Sequence, residues 1–464
     1  MKIQNLSDTY ENLRKQYPVF TYHSFSYSLE NNILSLSFHF SIGKDIHFYP
    51  TSVISFHPLY KDFYKKNNLS ELENIIFHIG MIELISYWKC TCSPTLVVEA
   101  GILDTKAINW WKKIYFHGLG EFFYCNGIET DIENFMDIRC KSDKTYTKQH
   151  FVLHDETIIP IGGGKDSVVT LELLKNHSST PIPMVINMRG AIAACLDIGG
   201  FKDNYFEIRR TIHPKLLELN NQGFLNGHTP FSAMLAFYSV LIAVLSQKRH
   251  IALSNESSAN ESTVQNSDVN HQYSKSIAFE NDFRNYVYEY INESINYYSF
   301  LRPLSEMQIA LLFSRFPDYF PVFRSCNAGS KNDSWCCNCP KCLFTYIILS
   351  PFIAPADLSS IFGMNLFENK ELIPLLNELT GETEVKPFEC VGTREEVCIA
   401  LCEAIKKYHE LPALLAYFKK TSCYDLYKDI NITSFLLHFE NNHNVSKPLL
   451  KQIEKEIYNY TNNH

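Results

Sequence analysis

The chain has 464 residues, of which 45% are hydrophobic and 20% charged, so it can bury a large core and should form about two or three domains. Its 42 basic and 50 acidic residues give a net charge of −8, which excludes a general attraction to nucleic acid. The N-terminal stretch is polar, and no apolar run approaches the length of a membrane span. We therefore expect a cytoplasmic protein with neither a nucleic-acid nor a membrane partner.

Segment 20–43 alternates apolar and polar residues on both sides of Glu30, Asn31 and Asn32, which predicts a β-hairpin. Segments 69–89 and 107–127 have the apolar spacing of helices. These patterns predict an N-terminal α+β domain over residues 1–150, which we expect to serve substrate recognition.

From residue 157 the pattern changes to strands and helices in alternation, which is typical of an open, doubly wound parallel sheet. We assign this α/β domain to residues 151–352 and a helical region to 353–464. Thr229 should cap the longest helix of the α/β domain, with Pro230 at its first position. The strand candidates are 157–161, 181–188, 204–212 and 250–258, and the helix candidates are 167–176 and 230–248.

A glycine-rich loop, GGGKDS, runs from Gly162 to Ser167 between the first strand candidate and a helical pattern. Such a loop lets phosphate approach the backbone N–H groups at a helix N-terminus. It is not a Walker loop, because Asp166 separates Lys165 from Ser167 and Ile159 stands at the upstream glycine position. A dinucleotide-binding loop is also disfavoured, because the aspartate would repel a bare pyrophosphate.

The remaining plan is the pyrophosphatase loop, Ser-Gly-Gly-x-Asp-Ser, in which ATP is cut between its α- and β-phosphates. The chain departs from it at Gly162, where a hydroxyl donor is lost. Asp166 then has a purpose, since its carboxylate can hold Mg²⁺ against the leaving pyrophosphate. A glycine turn without a ligand is the alternative. The residues predicted to hold ATP phosphates and metal are Gly162, Gly163, Gly164, Lys165, Asp166 and Ser167.

The blocks SANE, VNHQYSKS, RPLSE and KPFECVGTREE, all downstream of this loop, together resemble the MurL family of UDP-N-acetylmuramoyl-L-alanyl-L-glutamate epimerases. The resemblance covers roughly residues 157–396. It implies the adenine-nucleotide alpha-hydrolase (pyrophosphatase-loop) fold, and an ATP- and Mg²⁺-dependent inversion of the terminal L-glutamate of UDP-MurNAc-L-Ala-L-Glu. That reaction proceeds through an acyl-adenylate and releases AMP and pyrophosphate. The expected partner is this small-molecule substrate.

The resemblance also suggests roles for individual residues. The α-proton could be moved by groups in the block NHQYSKS, for which His271, Tyr273 and Lys275 are candidates, with Asp166 as the metal-bearing acid. An uncommitted polar residue of a loop is the alternative for His271. Adenosine or acyl-adenylate contacts are expected at Asn187, Ser254, Asn255 and Glu256. Substrate contacts are expected at His228, Arg302, Glu306 and Arg324, although the last three could instead pair with one another.

The chain has 14 cysteines, which in a cytoplasmic protein are thiols or metal ligands more often than disulfides. Cys326, Cys336, Cys339 and Cys342 have the spacing of a structural zinc site, with Cys337 as an alternative to Cys336. Reduced thiols at a turn, or an iron–sulfur centre, are alternatives. Nine further cysteines are predicted to be buried core thiols: Cys90, Cys92, Cys125, Cys140, Cys195, Cys390, Cys398, Cys402 and Cys423.

Two other functions remain open at this point. A pyrophosphatase-loop enzyme that modifies tRNA or a deazapurine would share the loop and the cysteine cluster, but the acidic charge disfavours it. A zinc-stapled protein that binds ATP without turnover is the other alternative. It is disfavoured because the lysine, aspartate and serine of the loop occur together.

Overall fold

The computed structural model describes residues 2–55, 69–176, 181–260, 272–329 and 332–461. Its strands are β1 (Val19–Glu30), β2 (Ile33–Ile42), β3 (Ile46–Phe48), β4 (Thr51–Ser55), β5 (Thr95–Val98), β6 (Asp137–Cys140), β7 (His154–Pro160), β8 (Ile182–Ile186), β9 (Phe206–Thr211), β10 (Lys248–Leu253) and β11 (Asn296–Ser299). They form one sheet of 11 strands in the order β11-β10-β7-β8-β9-β4-β2-β1-β5-β6, with β3 paired to β2.

Strands β7 to β11 all run parallel to their neighbours within this group. The chain moves from β7 to β8 and β9 on one side and later to β10 and β11 on the other. Such a reversal opens a crevice beyond the carboxyl ends of the strands, where ligands bind in sheets of this kind. The predicted α/β architecture with parallel strands is confirmed here, and the glycine loop follows the strand at the reversal.

The predicted N-terminal hairpin is also confirmed. Strands β1 and β2 pair antiparallel from Phe20 opposite Ile42 to Glu30 opposite Ile33. Only Asn31 and Asn32 separate them, with φ angles of 51° and 63°. Asparagine tolerates this left-handed region, and two such residues form the turn that matches the twist of paired strands.

The N-terminal strands continue directly into the parallel strands. Strand β4 pairs antiparallel with β9, from Thr51 opposite Thr211 to Ser55 opposite Glu207. The whole sheet is therefore mixed, with parallel pairs in the majority. The division at residues 150 and 352 stays a prediction.

Helices pack on both faces of the sheet. Neighbouring side chains of β7, Ile158 and Ile159, point into two different hydrophobic cores, as the alternation of a strand requires. Within the described ranges, no helix is both long enough and apolar enough to cross a membrane.

The α-helices are α1 (Lys2–Gln16), α2 (Glu73–Trp88), α3 (Thr105–Gly118), α4 (Gly120–Cys125), α5 (Lys165–Leu174), α6 (Gly190–Ile198), α7 (Pro214–Asn221), α8 (Phe231–Leu245), α9 (Ile277–Tyr290), α10 (Glu306–Phe313), α11 (Pro340–Leu349), α12 (Pro355–Phe362), α13 (Ile373–Thr380), α14 (Arg394–Ile405), α15 (Ala413–Phe418), α16 (Ser422–Tyr427), α17 (Ile432–Leu436) and α18 (Lys447–Thr461).

The helical patterns at 69–89, 107–127, 167–176 and 230–248 correspond to α2, α3 with α4, α5 and α8, and the C-terminal region is helical as predicted. One detail is wrong: Thr229 does not cap α8. Pro230 occupies the N-cap position, and the Thr229 carbonyl accepts a hydrogen bond from the Phe231 N–H at 2.7 Å. The φ of Pro230 suits a helix, but its ψ of 74° lies outside the helical range, so the helix begins one residue later than predicted.

Candidate active site

The glycine loop lies between the end of β7 at Pro160 and the start of α5 at Lys165. Gly163 has a φ of +78°, and a Cβ atom there would lie 3.1 to 3.3 Å from Ile192 and Ala191 of α6. A residue with a side chain would be strained at this position. A Cβ atom at Gly162 would meet nothing within 4 Å, so there is room for the serine that the pyrophosphatase loop usually carries.

Lys165 is the buried cation of the site. Its Nζ donates to the carboxylates of Asp166 and Glu306, while its side chain is 3% exposed. Burial alone would lower the pKa of Lys165, but the two carboxylates raise it above its ordinary value. The lysine is therefore a fixed positive charge at the entrance to α5.

Three carboxylates meet beside this lysine. One oxygen from each of Asp166, Glu256 and Glu306 lies within 4.8 Å of the others. Burial raises the pKa of Glu306 well above its ordinary value; Lys165 opposes the shift, while the other two carboxylates add to it. Crowded carboxylate oxygens of this kind are the ligands that Mg²⁺ prefers, and a divalent cation would relieve their mutual repulsion. The residues present therefore fit a magnesium ion.

The position of Glu306 depends on capping of α10. Ser305 and Gln308 form a capping box, and Glu306 is the first residue of the helix. The Glu396 carboxylate accepts a hydrogen bond of 2.6 Å from the Glu306 N–H and also caps its own helix by binding Thr393. Burial raises the pKa of Glu396. The RPLSE and TREE blocks therefore meet in the fold.

The residues after β10 line the same region. The Ser254 Oγ is buried and has no hydrogen-bond partner among the described residues, so it could accept or donate to a ligand. Asn255 donates to the Ser299 Oγ at 3.0 Å. Glu256 contributes its carboxylate to the group of three, and its contact with the nucleotide stays a prediction.

Lys275 lies near the carboxylate group and contacts a cysteine. Its Nζ donates to the Cys390 Sγ at 3.1 Å. Burial opposes protonation of this lysine, but Cys390 and Glu256 raise its pKa above the ordinary value. The Tyr273 Oη is buried without a partner in the described part of the chain, and burial raises its pKa, which keeps the phenol protonated. His271 lies outside the described residues.

The remaining predicted site residues have other partners. Arg302 is fully buried, and its guanidinium donates to the carbonyls of Glu256 and Lys275. Its acidic partner among the described residues is Glu280 at 3.5 Å, not Glu306, and its contact with substrate stays a prediction. A fully enclosed guanidinium positions the residues it binds.

Asn187 and His228 serve local structure. The Asn187 Oδ1 accepts a hydrogen bond of 2.8 Å from the Arg210 N–H, which ties the ends of β8 and β9 together. The His228 Nδ1 lies 3.3 Å from the Glu121 carboxylate of α4. The described structure gives neither residue a contact with the carboxylate group.

The cysteine cluster converges as predicted. Sulfur atoms of four cysteines lie within 4.8 Å of one another, with separations of 3.9 Å for Cys326 and Cys339, 3.7 Å for Cys336 and Cys342, and 3.5 Å for Cys339 and Cys342. Thiolates on a tetrahedral zinc ion are about 3.8 Å apart, given Zn–S bonds of about 2.3 Å. The Cys337 Sγ instead lies 3.3 Å from the Phe362 carbonyl, which identifies Cys336 as the fourth member.

The chain next to this cluster supports the glycine loop. The Arg324 N–H donates to the Gly163 carbonyl at 2.9 Å, and a Cβ atom at Gly164 would lie 2.9 Å from the Ser325 Oγ. The Asp333 carboxylate accepts a hydrogen bond of 2.9 Å from the Ala191 N–H at the start of α6. The Arg324 side chain donates to the Asp333 carbonyl, so its described role is structural.

Comparison with known proteins identifies the family of the chain. The model of the MurL N-terminal domain matches residues 11–300, and that of the MurL C-terminal domain matches residues 322–420. The chain belongs to the MurL family. The two matched ranges include the glycine loop, Asp166, Glu256 and the cysteine cluster, while Glu306 lies in the interval between them.

Three curated relatives carry the name UDP-N-acetyl-alpha-D-muramoyl-L-alanyl-L-glutamate epimerase. The one from Xanthomonas oryzae pv. oryzae is 33% identical over 71% of this chain and 74% of its own. The relative from Micromonospora sp. is 32% identical over 72% of this chain and 75% of its own, and that from Salinispora tropica is 32% identical over 84% and 85%. No solved structure matches the chain significantly.

Two residues that this MurL chain brings to the site, Cys390 and Glu396, were not identified from sequence. Cys390 was counted among the nine core thiols, yet it is partly exposed, as are Cys140 and Cys423, and Cys125 is exposed. The core prediction is wrong for these four: Cys125 and Cys140 are the last residues of α4 and β6, Cys423 lies in α16, which has no buried residue, and Cys390 lies in a loop. Five are buried as predicted: Cys90, Cys92, Cys195, Cys398 and Cys402.

Proposed function

We propose that this protein is an epimerase of peptidoglycan precursor synthesis that inverts the terminal L-glutamate of UDP-MurNAc-L-Ala-L-Glu at the expense of ATP. Membership of the MurL family and the names of the three relatives support the epimerase activity. The observation that carries the ATP requirement is the glycine loop with its buried lysine and adjacent carboxylates at the reversal of a parallel sheet.

ATP would bind with its phosphates at the N-terminus of α5. Gly162, Gly163 and Gly164 would offer backbone N–H groups, and Lys165 and Ser167 would supply charge and a hydroxyl. Mg²⁺ held by Asp166, Glu256 and Glu306 would neutralise charge on the leaving pyrophosphate. The buried Ser254 hydroxyl would face the nucleoside part of the ligand.

Adenylation explains why an epimerase should consume ATP. Removing the α-proton of a free carboxylate would place a second negative charge beside the first. Transfer of AMP to that carboxylate expels pyrophosphate and gives a neutral acyl group, whose α-proton is within reach of a side-chain base. Reprotonation on the opposite face inverts the centre, and hydrolysis then releases AMP and the product.

We assign one of the proton-transfer steps to Cys390. A lysine ammonium stabilises a neighbouring thiolate, the form of cysteine that accepts a proton, and Lys275 is such a neighbour of Cys390. The thiolate would take the α-proton and become S–H, and the group on the other face would return a proton to the same carbon. Tyr273, protonated and without a described partner, and His271 are the candidates for that group.

The cysteine cluster would hold zinc as a structural centre. The four sulfur separations fit tetrahedral coordination, and the neighbouring chain contacts the glycine loop and α6. Zinc here would stabilise the loop on which nucleotide binding depends.

The deciding experiment incubates the purified protein with ATP, Mg²⁺ and UDP-MurNAc-L-Ala-L-Glu, followed by chiral analysis of the glutamate and chromatography of the nucleotide. We expect D-glutamate, AMP and pyrophosphate, all dependent on ATP. Formation of ADP, or inversion without ATP, would contradict the mechanism. A parallel incubation with tRNA should give no AMP, and AMP formed only with tRNA would favour the modifying enzyme instead.

The role of Cys390 is tested separately by Cys390→Ser, with the exposed Cys125→Ser as the matched control. Loss of a general base typically costs about 10² to 10⁴ in rate, so we expect a loss of that size in deuterium exchange at the α-carbon. Exchange of pyrophosphate into ATP in the presence of substrate should remain near the wild-type rate. Equal losses in both assays would remove Cys390 from the proton-transfer step.

A further inference from the structure

Three histidines converge on the N-terminal strands, which contribute no residue to the loop or the carboxylate group described above. They are His23 of β1, His39 of β2 and His47 of β3. All three are partly exposed, and one ring nitrogen from each lies within 4.8 Å of the others. Histidine is the commonest protein ligand of transition metals.

The backbone arranges this convergence. His39 and Ser41 share one face of β2, and Ser41 lies opposite His47 of β3. On the other side, the register of β1 shifts between Tyr22 and Ser24, so His23 is the extra residue of a bulge. A bulge redirects a side chain that regular pairing would place elsewhere.

Two of the rings are held through their far nitrogens. The His23 Nδ1 lies 2.7 Å from the Glu99 carboxylate, and the His47 Nε2 lies 3.0 Å from the Lys44 carbonyl. A histidine that binds metal usually donates its other N–H to a carboxylate or carbonyl in this way, which presents the remaining lone pair to the ion. The inner nitrogens are the His23 Nε2, which lies 2.8 Å from the Ser41 Oγ, and the His47 Nδ1, so an ion would displace the serine hydroxyl from the His23 ring.

The third ring completes the set. The His39 Nε2 lies 3.0 Å from the His47 Nδ1, and the His39 ring is stacked between those of His23, at 4.5 Å, and Tyr49, at 4.6 Å. Nitrogens on a tetrahedral zinc ion are about 3.3 Å apart, given Zn–N bonds of about 2.0 to 2.1 Å. The distance between the His39 Nε2 and the His47 Nδ1 would need to increase only slightly for both nitrogens to bind one ion.

We propose that His23, His39 and His47 form a second zinc site, with Glu99 and the Lys44 carbonyl orienting the outer two rings. Three imidazoles select zinc or a neighbouring transition metal over Mg²⁺, which requires oxygen ligands. Because the histidines are partly exposed, the fourth position is open to water or to a small ligand. The ion would clamp the first three strands together at the bulge.

The test measures zinc binding to the full-length protein in which the cysteine cluster is already filled. Wild type should bind one further equivalent, measured by calorimetry and by metal analysis after gel filtration. His39→Gln should weaken this binding by at least about 100-fold and Glu99→Gln by about 10- to 100-fold, the usual loss for an orienting partner. The control His250→Gln changes a histidine that pairs with Asp155 on another strand and should bind zinc like wild type.

Cobalt(II) separates the two centres, because only thiolate ligands give intense sulfur-to-metal charge-transfer bands. The further equivalent should add no such band. If His39→Gln does not fold, as judged by circular dichroism, His47→Gln serves in its place. Wild-type affinity in the ligand variant, or no further equivalent in wild type, would overturn the proposal.

Discussion

At the scale of single residues, the glycine loop makes a sharp distinction between two adjacent glycines. Gly163→Ala should cost about 1 to 2 kcal/mol, because alanine is strained at a φ of +78° and would press on Ile192 and Ala191. Gly162→Ala meets open space and should unfold like wild type in urea. Equal stability of the two variants would contradict the described conformation of the loop.

A second residue-scale prediction concerns Asp166. Asp166→Asn keeps the shape of the side chain and removes one carboxylate from the group of three. If that carboxylate holds the metal, AMP formation should fall about 1,000-fold, a loss of several kcal/mol in transition-state stabilisation. The fold should survive, because Lys165 still pairs with Glu306. Wild-type turnover at saturating Mg²⁺ would refute the metal role.

The residues of the glycine loop could be found from sequence alone, but the long-range contacts around the loop could not. GGGKDS is a contiguous motif, so its chemistry can be read without knowing the fold. Arg302 and Glu396 sit in recognisable blocks, but their roles depend on partners far away in the chain. A polar side chain has no local signal that separates a ligand contact from a buried structural bond.

At the scale of elements, the segment that carries Arg324 and the cysteine cluster should hold the glycine loop in its conformation. Cys339→Ser removes a sulfur that lies within 3.9 Å of two others and should abolish the zinc binding that we propose for the cluster. Because Arg324 of the same segment binds the Gly163 carbonyl, nucleotide binding should weaken as well. Cys337→Ser is the matched control, since its sulfur faces the Phe362 carbonyl. Metal analysis and titration with a fluorescent ATP analogue measure both effects.

Two outcomes of this test would contradict different parts of the prediction. Metal loss in Cys337→Ser as well as in Cys339→Ser would show that Cys337 is a ligand and that the wrong fourth ligand had been chosen. Metal loss with unchanged nucleotide affinity would mean that the segment does not stabilise the loop.

Elements were predictable where their pattern is local. The hairpin and the helices follow from alternation and apolar spacing, and the strands of the α/β part appear in the predicted order. The pairing of β4 with β9 was not predictable, because residues 51–55 and 206–211 are far apart in the chain. Strand partners are set by tertiary packing, which a single sequence does not display.

At the scale of the whole molecule, a buried ion pair joins a strand of the parallel group to a helix from the N-terminal part of the chain. Arg210 of β9 makes hydrogen bonds of 2.8 and 2.9 Å with both oxygens of Glu83 in α2, and Glu83 is 1% exposed. Arg210→Met should destabilise the protein by about 3 to 5 kcal/mol, because it leaves a buried carboxylate without its cation.

The double variant Arg210→Met/Glu83→Leu should recover most of that loss, since replacing both charges by apolar groups is often neutral. Urea denaturation of the single and double variants measures the difference. A double variant as unstable as the single one would show that the ion pair itself, not the unpaired charge, determines the stability.

The pairing of β4 with β9 has a consequence for truncated forms of this protein. In the intact chain, β4 forms hydrogen bonds with the row of backbone groups along one edge of β9. A truncated protein that begins after residue 150 would present that row to solvent, and exposed rows of this kind recruit strands from other molecules. Such a fragment should self-associate into β-rich aggregates, even though it retains every residue of the glycine loop.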